Sequence, residues 1–169
     1  MKENINISDY AGLINEELRD GILLNTNGDK FNSMVIGWGH IGIIWEIPTF
    51  AVYVRQSRYT KAQLDKTEEF TISVPLEGKI SPEVFEAFGS KSGRDIDKAS
   101  LVTLEEARTN HTPGIREYPL TVECEVIYAQ DQDLSKINPE LRDAFYGDGN
   151  DFHTAYIGKI VDAYIIKED

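Results

Sequence analysis

Ser33-Met34-Val35-Ile36-Gly37-Trp38, Ile41-Gly42-Ile43-Ile44-Trp45 and Phe50-Ala51-Val52-Tyr53-Val54-Arg55 follow one another with only short interruptions. All three runs are rich in Ile, Val, Phe, Tyr and Trp, the side chains that suit a half-buried sheet. The breaks between them fall at Gly39-His40 and Pro48-Thr49. The same pattern extends in both directions. Upstream, Gly21-Ile22-Leu23-Leu24-Asn25 reads as a strand that ends on the turn signal Asn27-Gly28-Asp29. Downstream, residues 69–75 form another strand-like run. Residues 119–128 alternate cleanly, with Leu120, Val122, Cys124 and Val126 on one face. Residues 155–166 read as a long last strand.

Helices are short and inserted between these strands. Residues 8–18 read as a capped helix or a lead-in to a strand. Thr60 is placed to cap a helix over 61–66, a short helix is expected over 82–87, and Asn138-Pro139 opens one that runs to about Phe145. Residues 80–110 read as helical segments and loops. No repeat, low-complexity tract or linker interrupts the chain. The expectation is one domain over residues 1–169, mainly β, built as an antiparallel barrel, closed or split, because closure removes exposed strand edges.

Composition narrows the function. A chain of 169 residues can bury a sizeable core. Its 29 acidic and 17 basic side chains give a formal net charge of -12. Such a surface repels nucleic acid and anionic membranes, so neither is an expected partner. Any phosphate bound here must be held by local cations against the overall field. The single cysteine, Cys124, excludes an internal disulfide and alternates with core residues as an inert thiol would. No apolar run is long enough to span a bilayer. The opening Met1-Lys2-Glu3-Asn4 leads into polar sequence rather than a secretory signal, and a cytoplasmic protein is expected.

Two cationic knots stand out against this acidity. Phe88-Gly89-Ser90-Lys91-Ser92-Gly93-Arg94-Asp95-Ile96-Asp97-Lys98 combines flexible backbone amides, hydroxyls and fixed positive charge. Arg55-Gln56-Ser57-Arg58-Tyr59-Thr60 joins an apolar strand to a helix start, where free N–H groups and bidentate guanidinium donors suit an anion. Either knot alone also reads as a solvated basic turn. Together, at the ends of apolar elements, they point to a phosphorylated cofactor. The run 32–39 ends in a Trp between two glycines, which fits either a core strand with a bulge or backbone open to a flat ring. His153 precedes the last strand and is a candidate for ligand contact or proton transfer; a solvated loop position is the alternative. His40 and His111 lie in turn-like sequence and receive no role. The histidines lack metal-ligand spacing and cysteine partners, so no metal site is expected. No strand–GxxxxGK[ST]–helix phosphate loop occurs.

With these residues in view, the chain resembles the flavin reductase family with the FMN-binding split barrel, in its flavoredoxin-like branch. The resemblance runs from about residue 25 to 164 and is carried by the order and spacing of residues 32–39, 52–60, 88–95 and 153–158. It implies an antiparallel split β-barrel with short inserted helices. It also implies a homodimer with FMN held non-covalently near the subunit interface. Arg55, Ser57, Arg58 and Thr60 would hold the phosphate. Ser33, Met34 and Trp38 would lie along the isoalloxazine, and Ser90, Lys91, Ser92 and Arg94 would close over the ribityl and phosphate end. His153 matches a histidine near the flavin or the nicotinamide and is the one candidate catalytic side chain. His40 and Glu46 depart from the small or neutral residues common in this branch. The implied function is transfer of hydride or electrons from NADH or NADPH to the flavin or to a further, unidentified acceptor. The alternative is a non-catalytic FMN-binding or electron-carrier module. The cofactor would carry the reaction, so no catalytic acid or base need be visible.

Overall fold

The computed structural model describes residues 1–147 and 149–168. In chain order it contains β1 (Lys2–Asn4), α1 (Ala11–Glu17), β2 (Ile22–Asn27), β3 (Phe31–Ile36), β4 (Gly39–Ile44) and β5 (Ile47–Arg55). Then come α2 (Tyr59–Thr67), β6 (Glu69–Val74), α3 (Pro82–Ser90), the two-residue strands β7 (Leu104–Glu105) and β8 (Gly114–Ile115), β9 (Leu120–Asp131), α4 (Pro139–Phe145) and β10 (His153–Ile166). The main sheet has the order β3-β2-β6-β9-β10-β5-β4, with β1 added to β10. Its ladders are antiparallel, as the alternating sequence predicts.

β10 organises the sheet because it is long enough to serve three neighbours. Its first half pairs β5, from His153 opposite Arg55 to Lys159 opposite Thr49. Its end pairs β1, and its whole length pairs β9. Register shifts against β9 at Ile157/Gly158 and Ile160/Asp162 bend it, as bulges do. Gly158 is required at the first bend, since a Cβ there would stand 2.5 Å from the Phe70 ring.

Alternation sorts the side chains into two cores. Ile22 and Leu24 of β2 face the barrel interior with Phe50, Val52, Val54, Phe70, Ile72, Leu120, Val122 and Cys124. Leu23, on the opposite face of β2, joins Phe31, Val84, Ala87, Phe88, Ile115 and Tyr118 beneath α3. The period-2 pattern of residues 119–128 therefore gives the correct inward face.

Several expected boundaries move. Pro48-Thr49 and Gly39-His40 do not break the sheet: they lie inside β5 and β4, and the hairpin turns at Trp45-Glu46, both at positive φ (53° and 60°). Pro48 is tolerated because the β10 ladder begins only at Thr49, so the missing N–H disrupts no bond on that side. β3 ends at Ile36, so Gly37 and Trp38 are the link to β4. α3 continues past Ala87, and Phe88-Gly89-Ser90 form its last turn because Phe88 is buried in the second core. Thr60 is not a cap. Arg58 occupies the cap position of α2 without a side-chain bond, and the Thr60 hydroxyl accepts from Asn32 at 2.9 Å. Residues 8–18 resolve as a 3₁₀ turn, Ile7–Tyr10, followed by α1. Among the described residues, no helix is long and apolar enough to cross a membrane.

Candidate functional site

The end of β5 delivers Arg55, Ser57 and Arg58 to the start of α2, directly across from the last turn of α3 and the loop that follows it. The space between them is a cavity of about 190 Å³. Among the described residues its walls carry Arg58, Lys91, Arg94 and Lys98, and no carboxylate. Four cations around one cavity is a strong local reversal in a chain of net charge -12. Ser57, Thr60, Ser90 and Ser92 supply hydroxyls to the same walls. The first N–H groups of α2 lack intrahelical acceptors and add a positive dipole end. Gly93 lets the loop close on β3: a Cβ there would stand 2.2 Å from the Asn32 side-chain oxygen.

A second cavity, of about 180 Å³, shares Met34 and Arg58 with the first. Met34, Val35, Ile36, Gly37 and Trp38 line it together with Tyr53, Arg55 and His153. The Trp38 and His153 rings pack at a tilt of 33° with centroids 4.5 Å apart, and Phe145 meets the Trp38 ring edge-on at 5.3 Å. One cavity is basic and the other aromatic, and Arg58 stands at their junction.

The predicted residues separate under this geometry. Met34, Arg58, Thr60, Ser90, Lys91, Ser92 and Arg94 converge on the basic cavity, and Trp38, Arg55 and His153 on the aromatic one. Ser33 lines neither. Its buried hydroxyl donates to Asn25 at 2.7 Å, inside a network with Thr71 and Ser73 that ties β3, β2 and β6 together. Ser57 lines the basic cavity, but its amide and hydroxyl both donate to the Asp151 carboxylate, at 2.9 and 2.7 Å. Burial alone would raise the Asp151 carboxyl; the Ser57 donors and the Arg55 charge hold it below its ordinary range. Arg55 donates to the Asp151 and Phe145 carbonyls at 2.8 and 3.0 Å and lies over the Tyr146 ring. It therefore pins the segment after α4 against the end of β5.

His153 is buried rather than a solvated loop histidine. Its Nδ1 lies 2.8 Å from the Tyr146 hydroxyl, which is also within 2.7 Å of Gln132. Burial, and then the charge of Arg55, push its pKa down to about 4. The imidazole is therefore neutral at physiological pH, a hydrogen-bonded ring packed against Trp38.

A family model described as a flavin reductase like domain matches residues 20–169. The chain belongs to the flavin reductase like domain family. An uncharacterised protein of Pyrococcus abyssi is 29% identical over 152 residues, covering 90% of this chain and 76% of its own. Flavoredoxin from Methanosarcina acetivorans has the same fold, with a TM-score of 0.67 at 24% identity over 87% of this chain and 68% of that one. An FMN-binding domain of a flavin reductases-like enzyme from Shewanella baltica superposes over 98% of this chain and 77% of its own, with a TM-score of 0.67 at 16% identity.

Within this flavin reductase-like domain, the sequence placed Lys98 in the basic loop without singling it out, and passed over Asp151, Tyr53 and Tyr146. Lys98 closes the basic loop after α3, so its residue type was visible; its burial was not. Asp151 lies 94 residues from Ser57, and no local pattern links them.

Proposed function

We propose that the protein binds FMN and passes hydride or electrons from NADH or NADPH to that flavin, or through it to a further acceptor. Residues 1–169 act as one domain, and the working form is a homodimer. One observation carries this reading: a cavity with four cations and, among the described residues, no carboxylate adjoins an aromatic cavity with which it shares Met34 and Arg58. This donor set fits a molecule with a doubly charged phosphate at one end and a flat heteroaromatic ring at the other. The family and the likeness to the FMN-binding domain from Shewanella baltica support flavin as that ring.

When bound, the flavin supplies the redox chemistry. The chain supplies position and field. Arg58, Lys91 and Arg94 hold the anionic end with charge-assisted hydrogen bonds. Arg58 and Arg55 keep positive charge beside the aromatic cavity, which favours negative charge developing there. Trp38 and His153 give that cavity its aromatic surface, and the Tyr146 hydroxyl fixes the orientation of the imidazole. Neutral His153 adds polarity without charge.

An electron-carrier role is the second reading. Trp38 is 38% exposed and Phe145 48%, so an aromatic edge stands at the mouth of the cavity where a protein acceptor would meet it. Anaerobic titration of the FMN-loaded protein with NADH and with NADPH, followed by flavin absorbance, separates the two. Stoichiometric bleaching by either nucleotide supports the reductase. Bleaching by a chemical reductant but by neither nucleotide leaves the carrier.

A further inference from the structure

Lys98 is the deepest cation of the basic cavity, with 3% of its surface exposed. Its Nζ donates to the Ser33 carbonyl at 2.6 Å and lies 3.5 Å from the Phe88 carbonyl. These use two of the three ammonium donors, and the third has no acceptor among the described residues. No carboxylate of the described residues pairs with it. The loop carboxylates Asp95 and Asp97 are exposed, and Asp97 is occupied with the Ala99 amide at 3.1 Å. The charged and titratable groups that share its cavity are Arg58 and Tyr59 from α2 and Lys91 and Arg94 from the loop; β3 and α3 contribute none. The Nζ also lies over the Phe88 ring, 5.4 Å from its centroid, but a buried ammonium held by two carbonyls and one ring face, next to an arginine, is an unfavourable arrangement unless an anion completes it.

We infer that Lys98 is a ligand-binding residue whose third N–H and charge meet the terminal phosphate of the ligand, so that this one buried amine selects a phosphate monoester dianion and makes its binding depend on pH. The inference rests on the FMN reading and goes further, by naming the side chain that reads the phosphate and the pH dependence it confers. Phosphate monoesters are largely dianionic above about pH 6. Burial, and then the charge of Arg58, lower the Lys98 pKa to about 8 in the free protein. A bound dianion raises it again. FMN affinity is therefore level from neutrality to about pH 8 and then falls, by up to about tenfold per unit, as the free protein loses the proton that the complex retains. Riboflavin, which has no phosphate, shows no such fall.

The test is calorimetric titration of wild type and Lys98→Met with FMN, riboflavin and inorganic phosphate, from neutrality to one unit above the Lys98 pKa. Lys98→Met keeps the length and apolar stem of the side chain and leaves Tyr59 and Lys91 in place, so any step it loses belongs to Lys98. We expect Lys98→Met to bind FMN about tenfold or more weakly, to bind riboflavin as wild type does, and to lack the alkaline fall. Equal FMN affinity and equal pH profiles in the two proteins would overturn the role of Lys98 and leave the flavin reading standing. If wild type binds neither flavin but binds inorganic phosphate, and Lys98→Met releases it, the flavin reading fails and the role of Lys98 stands. Should Lys98→Met fail to fold, the wild-type profile decides alone: FMN affinity that stays level above the Lys98 pKa overturns the inference.

Discussion

Arg58 lines both cavities and sits at the cap position of α2, and among the described residues its side chain makes one long hydrogen bond, to the Gly89 carbonyl at 3.4 Å. Its donors are therefore available to a ligand, unlike those of Arg55. Arg58→Ala should weaken FMN binding about tenfold or more, because a charge-assisted hydrogen bond contributes about 1.5–3 kcal/mol. Riboflavin binding should change far less; equal losses for the two ligands would show that Arg58 does not read the phosphate. For His153 the consequence is a pH dependence of stability. Its folded pKa, about 4, is below the ordinary 6.5, so the unfolded chain takes up the proton first. Its contribution is complete above about pH 6.5 and is lost as pH falls toward about 4. Urea unfolding of wild type and His153→Gln should converge in stability across that window. A constant difference between them would contradict the depressed pKa. Residue type and spacing made Arg58, Arg94 and the hydroxyls around them legible in the sequence. What the sequence withheld is which donors are already occupied. Ser57 and Arg55 are satisfied by groups distant in the chain and Ser33 by Asn25 across the β2–β3 hairpin, and that depends on the complete fold.

At the scale of elements, β4 and β5 form a hairpin closed by Trp45-Glu46, both in the left-handed region. Such turns favour Asn and Gly, and a side chain at positive φ destabilises them. Trp45 has a compensating contact, since its ring meets Tyr128 edge-on at 6.2 Å. Glu46 has no such contact among the described residues. Glu46→Gly should therefore stabilise the protein by about 0.5–1 kcal/mol in urea unfolding, and a clear loss of stability would contradict the turn geometry. The sequence suggested breaks at Gly39-His40 and Pro48-Thr49 because Gly and Pro are strong punctuators. Ladder bonds to β5 and β10 outweighed that local signal. Where local and tertiary demands agree, as in β9 with its inward Leu120, Val122 and Cys124 or in α4 after Asn138, the sequence reading matched closely. β1, β7 and β8 are short and have no apolar period to read.

At the scale of the whole molecule, an acidic chain gathers four of its 17 basic side chains around one cavity. Antiparallel strands and short helices were legible from alternation and turn signals. The order β3-β2-β6-β9-β10-β5-β4 was not, because partner choice is set by packing. Ile43 (69%), Trp45 (61%) and Tyr128 (45%) leave large apolar groups exposed around the tip of the β4–β5 hairpin. On the homodimer reading, light scattering should give twice the chain mass and Ile43→Glu should shift the protein toward monomer. A stable wild-type monomer with full FMN occupancy would refute that assembly. The central claim is that the paired cavities hold a flavin by its phosphate. Calorimetric titration of the wild-type protein with FMN and with riboflavin at neutral pH tests it most directly. The account predicts one FMN per chain and riboflavin bound about tenfold or more weakly; equal affinities, or no binding of either flavin, would contradict it.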